Sequence, residues 1–166
     1  QRDERLGWTG DMQLFLATAC WNMHVGGYMT KWMRDIVDSR NADGSVTDVA
    51  PALSAGPGAP GWGDAVVIVP WGLYTYYGDT RIIETNYAAM ADWLAYMRNK
   101  ATDGLYATGC YGDWVPVEPS PKEPMAGAYQ YLSTKRLAEM ARAIGKTDDA
   151  AALEREAVAI AARYNQ

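Results

Sequence analysis

The sequence predicts an all-α protein built of antiparallel helical hairpins. Three observations carry that expectation. Apolar residues recur at helical spacing along most of the chain. Connections alternate between tight and long, the pattern of hairpins whose long loops gather at one end. One segment, AVVIVPWGLYTYY, is apolar nearly all round, so it should be buried on most sides.

A first helix is expected over residues 10–24, after a Trp-Thr-Gly-Asp turn that places Thr9 or Asp11 near its start. A second is expected over 28–40, with Trp32, Met33, Ile36 and Val37 on one stripe. Residues 41–63 form a long loop, because Pro51, Gly56, Pro57, Gly58, Pro60 and Gly61 forbid a regular element. Asp64 suits the N-cap of the apolar third helix, which runs to about Gly78. Pro70 must bend that helix or shift its start. Asp79 suits the cap of a fourth helix to about Lys100, and Ile83, Tyr87, Met90, Leu94 and Met97 make it one-faced. Residues 101–124 form a second long loop, held extended by Pro116, Pro119, Pro121 and Pro124. A fifth helix over about 125–144 ends at Gly145. Thr147 suits the cap of a sixth, whose buried stripe is Leu153, Ala157, Ile160 and Tyr164.

The 166 residues carry a formal net charge of -5, with 15 Lys+Arg against 20 Asp+Glu and no basic run. That balance disfavours a nucleic-acid surface, which needs clustered cations to release counterions. No apolar run is long enough for a membrane span. Cys20 and Cys110 read as free, buried thiols, and His24, the single histidine, as a core or helix-end residue. One histidine and two distant cysteines argue against zinc, and no phosphate-cradling glycine motif occurs, so no metal or cofactor is expected. There are 7 Trp and 11 Tyr against 1 Phe. Trp and Tyr combine a flat apolar face with a polar handle, which suits a partly polar ligand.

Three clusters pair an acid with such a ring. The first is Arg2-Asp3-Glu4-Arg5-Leu6-Gly7-Trp8-Thr9-Gly10-Asp11. Its chemical reading is a rigid turn that holds Glu4 beside two arginines and brings Asp11 back towards it. A solvated charge run before a capped helix is the alternative. The second is Gly61-Trp62-Gly63-Asp64, and the third Cys110-Tyr111-Gly112-Asp113-Trp114. All three fall on the long-loop side. Carboxylates take sugar hydroxyls, rings cover sugar C–H faces, and carboxylate pairs hydrolyse glycosidic bonds. Trp8, Trp62 and Trp114 are therefore the expected sugar-facing rings, while Trp21, Trp32, Trp71 and Trp93 lie on helices and should pack.

The segment QRDERLGWTGD closely resembles the active-site motif of the α-L-rhamnosidases of glycoside hydrolase family 78. PGWGDAVVIVPWGLYTYYGD looks like that family's second signature, and YGDWVP is similar to its next segment. The resemblance covers essentially the whole chain. It implies a barrel of six helical hairpins, of which residues 1–166 would be about half, cut at both ends. It implies inverting removal of terminal α-L-rhamnose from a glycoside or polysaccharide. By the motif, Glu4 matches the family's general acid, and Arg2, Trp8 and Asp11 match residues lining the rhamnose subsite. Trp62 and Trp114 match aromatic residues of that subsite. The family's general base lies beyond residue 166, and a further sugar-binding aspartate lies just before Gln1. An inverting enzyme needs its second carboxylate roughly 6.5–9.5 Å from the acid.

Two other readings stay open on the sequence. One is a non-catalytic helical module that binds carbohydrate or associates through exposed barrel faces. The other is an inverting barrel glycosidase for a different sugar.

Overall fold

A computed structural model describes residues 3–53, 56–107, 109–113 and 115–166. It contains six α-helices: α1 (Thr9–Asn22), α2 (Gly26–Asp38), α3 (Ala65–Tyr77), α4 (Arg81–Lys100), α5 (Glu123–Ala143) and α6 (Thr147–Tyr164). Among the described residues there is no regular strand, only the isolated bridges Trp8–Val49 and Thr102–Leu105. Short links join α1 to α2, α3 to α4 and α5 to α6, so each pair is a hairpin. The long connections follow α2 and α4, as expected. The starts of α1, α3 and α5 therefore share one end with both long loops.

Helix α3 sits at the centre and packs against α1, α2, α4 and α5. Val66, Val67, Val69 and Leu73 are fully buried. Each such side chain contributes about 1.5–3 kcal/mol of transfer free energy. The expected stripes of α2 and α4 also face the core. Trp32, Met33 and Ile36 are buried on α2, and Ile83, Met90, Leu94 and Met97 on α4. Pro70 lies inside α3, and the helix neither starts late nor stops there.

Several helix ends differ from expectation, each for a tertiary reason. α5 takes in Pro124, because proline in a first turn forfeits no helical hydrogen bond. The Thr9 N–H and Oγ1–H both donate to the Asp48 carbonyl, each at 2.8 Å, so a loop satisfies the start of α1. Asp64 precedes α3 but makes no capping hydrogen bond, since its carboxylate turns back into the core. Thr147 is the first residue of α6, and no side chain caps that helix. Asp79 does serve α4: its Oδ1 accepts from the Arg81 N–H at 3.1 Å. Gly145 (φ +77°) ends α5 as expected. The Gly145 N–H donates to Arg142 O and the Lys146 N–H to Ala141 O, which is a Schellman closure.

Four side chains depart from their expected places. Trp21 is not packed: it is 80% exposed, with its ring edge-on to Tyr76. Tyr164 stays partly exposed while lying against Gly127. His24 falls beyond the end of α1, exposed, beside the Tyr77 ring. Cys110 is buried, but Cys20 is only half-buried, and both are free thiols.

Candidate active site

The first motif is pinned to the loop that follows α2. The Gly7 carbonyl accepts from the Ala50 N–H at 3.0 Å, and the Thr9 N–H donates to Asp48 O. Any Cβ on Gly7 would run into the Ala50 carbonyl oxygen, so only glycine lets the two strands of chain approach this closely. Arg5 turns the chain with φ +62°. The turn brings Glu4 back over Trp8, whose Nε1–H donates to Glu4 Oε2 at 2.6 Å. The carboxylate is exposed, and among the described residues this indole orients it; Arg2, one of the two arginines of the charge run, lies outside them. Asp11 is exposed in the first turn of α1.

The second motif docks on the first. A Cβ at Gly10 would lie 2.8 Å from the Trp62 ring, so the indole packs directly on the backbone of α1 beside Asp11. Gln13 Nε2–H donates to the Gly61 carbonyl, and the Gly61 N–H donates to Asp64 Oδ2 at 2.8 Å. Both backbone polar groups of Gly61, the residue before Trp62, are thus held.

Asp64 is fully buried. Its Oδ1 accepts from Trp93 Nε1–H at 3.0 Å and from Ser133 Oγ–H at 2.5 Å. Burial pushes its carboxyl above the ordinary 3.8, against the lowering effect of the Ser133, Gly61 and Trp93 hydrogen bonds. The group ties α3, α4 and α5 together beneath the site and has no route to a ligand.

The third loop closes over Trp62. The Tyr111 ring meets Trp62 edge-on, with centroids 4.8 Å apart. Tyr111 Oη–H donates to Asp48 Oδ2 at 2.6 Å, and that carboxylate pushes the phenol up to about 12. Asp48 Oδ1 accepts from the Ala59 N–H at 2.7 Å. Asp113 is exposed. Arg2 and Trp114 lie outside the described residues.

The fold thus joins Glu4 to Trp8 directly and seats Trp62 against α1 one residue from Asp11. Sequence reasoning missed Gln13 and Asp48 and passed over Tyr111 in favour of its neighbours. Asp48 stands in a stretch with no motif character, and Gln13 looks like an ordinary helix residue. Among the described residues, no group of three or more His, Cys, Asp or Glu is arranged to hold a metal ion, and no helix is long and apolar enough to cross a membrane.

Three helical hairpins with acid and indole side chains collected at their long-loop end define a class of helical-hairpin protein with a candidate site on its loops. The whole chain, residues 1–166, matches the family described as the bacterial alpha-L-rhamnosidase six-hairpin glycosidase domain, and the protein belongs to that family. It is 46% identical over 149 residues to an alpha-L-rhamnosidase of Streptomyces avermitilis, covering 87% of this chain and 14% of that protein. It is 33% identical over 165 residues to an alpha-L-rhamnosidase of Formosa agariphila, covering 93% of this chain and 18% of the relative. Among solved structures, the Streptomyces avermitilis alpha-L-rhamnosidase complexed with L-rhamnose superposes with a TM-score of 0.92 at 40% identity, over 98% of this chain and 16% of the other. The alpha-L-rhamnosidase from Dictyoglumus thermophilum gives 0.93 at 32% identity, over 98% of this chain and 19% of the other. The chain therefore spans less than a fifth of these relatives. Its three hairpins are half of the six in the family's description.

Proposed function

We infer that this chain is the acid-bearing part of a larger inverting α-L-rhamnosidase that releases terminal α-L-rhamnose from a glycoside or polysaccharide. The observation that carries the reading is the Glu4–Trp8 hydrogen bond at the loop end of the half-barrel. The indole fixes one oxygen of an exposed carboxyl beside ring faces, as a proton donor to a glycosidic oxygen requires. Glu4 protonates the leaving oxygen. A second carboxylate, supplied from outside these residues, activates water on the opposite face of the sugar. Trp8 and Trp62 offer ring faces to the deoxy-sugar's methyl and C–H groups, and Asp11 takes hydroxyls. Arg2 and Trp114 complete the subsite by their places in the motifs. The relatives support this reading by their names, and one of them was solved with L-rhamnose.

The test is Glu4→Gln in the full-length enzyme. On an α-L-rhamnoside with a poor leaving group, turnover should fall by about 10²–10⁴-fold. An activated aryl rhamnoside, which needs little proton assistance, should lose far less. Equal turnover of mutant and wild type on the poor substrate would refute the assignment. Proton NMR of the first-formed sugar should show β-L-rhamnose if the configuration inverts.

A further inference from the structure

We propose that Asp48 is a positioning residue for the sugar site, acting through Tyr111 on the ring of Trp62. The proposal rests on the rhamnosidase reading above. Asp48 has no part in any of the three motifs, yet it joins all three segments that build the site. Its carbonyl receives the N–H and hydroxyl of Thr9, between Trp8 and Gly10. Its Oδ1 receives the N–H of Ala59, three residues before Trp62. Its Oδ2 receives the hydroxyl of Tyr111.

The geometry gives this bond a specific target. Trp62 rests on the glycine face of α1 at Gly10, and the residue before it, Gly61, is held by Gln13 and Asp64. Those contacts fix where the indole is rooted. The Tyr111 ring then bounds the indole from the side, at 4.8 Å and 76°. Tyr111 is itself 38% exposed, on a loop of glycines and prolines, so its ring needs an anchor. A short, charge-assisted hydrogen bond to Asp48 provides one. Releasing the phenol removes this tether from the side wall of Trp62 and makes no change at the Glu4–Trp8 hydrogen bond. The expected effect is on sugar binding, not on proton transfer.

The experiment compares Tyr111→Phe, Asp48→Ala and Asp48→Asn in the full-length enzyme. Tyr111→Phe keeps the ring and deletes only the hydroxyl. It and Asp48→Ala should raise KM for an aryl α-L-rhamnoside, and Kd for L-rhamnose, by about 3- to 10-fold. kcat should change by less than about 2-fold, because only uniform binding is lost. Asp48→Asn should lie closer to wild type, since its carboxamide still accepts from Ala59 and can donate to the phenol oxygen. In a Trp62→Ala background, Tyr111→Phe should have no further effect on KM or Kd. A purely structural clasp would instead lower Tm and kcat alike, or keep its full effect without Trp62, and either result overturns the proposal. Unchanged KM and Kd in Tyr111→Phe also overturn it. A wild-type enzyme that neither binds nor releases rhamnose overturns the rhamnosidase reading first, and this inference with it.

Discussion

At the scale of single residues, Asp64 shows how a side chain inside a motif can be structural throughout. Its carboxylate takes three donors in a site with no solvent access. Asp64→Ala strands those donors and should cost about 3 kcal/mol or more in urea unfolding. Asp64→Asn offers only one acceptor oxygen and turns an amide towards one of the donors, so it should cost less than alanine but still be measurable. The pH dependence has a definite sign. Burial raises this carboxyl above the ordinary 3.8, so the native state holds its proton more tightly than the unfolded state does. The resulting stabilisation is complete below 3.8 and fades as pH rises through the native value. The destabilisation by Asp64→Asn should therefore shrink between acid and neutral pH. An unfolding series of both proteins across that range reads it directly, and a gap that widens with pH would contradict it.

At the scale of elements, the helices were legible wherever their partners are local or their pattern one-sided. The stripes of α2 and α4 and the all-apolar α3 follow from spacing alone. The end of α5 follows from one glycine. Gly145 has φ +77°, and a Cβ there would meet nothing within 4 Å. Gly145→Ala should therefore cost only the left-handed backbone penalty, about 1 kcal/mol, seen as a lower urea midpoint with unchanged slope. What could not be read were the caps of α1, α3 and α6 and the outer face of α1. Thr9 and Asp64 are ordinary capping residues by type, but a loop carbonyl claims one and a buried network the other. Helix α1 carries apolar side chains on two faces, so its pattern did not say that Leu16 and Ala19 go inward while Phe15 and Trp21 face solvent. The three motifs offered Glu4, Trp8, Asp11 and Trp62 as candidates through residue type. Asp48 and Gln13 stayed hidden because their value lies in partners 39 to 63 positions away.

At the scale of the whole molecule, three hairpins pack around α3 with apolar side chains of α1 left exposed. Leu14, Phe15 and Trp21 of α1, with Met23 just beyond it, leave apolar side chains open to water. Exposed apolar surface of that kind drives association. The 166-residue chain produced alone should therefore sediment as a concentration-dependent oligomer, and Trp21→Glu should shift it towards monomer. A chain that stays monomeric at high concentration would show that this face tolerates water.

The loop clasp also has a consequence in time. Each hairpin closes across a short turn, so helices can pair early at little entropic cost. The contacts that join Thr9 to Asp48, Gln13 to Gly61 and Asp48 to Tyr111 span 39, 48 and 63 positions. Each of them forms only after chain segments far apart in sequence have come together. The loop end that carries the candidate site should therefore form after the helices pair and, since it rests on loops, should exchange its amide hydrogens before the buried helices do.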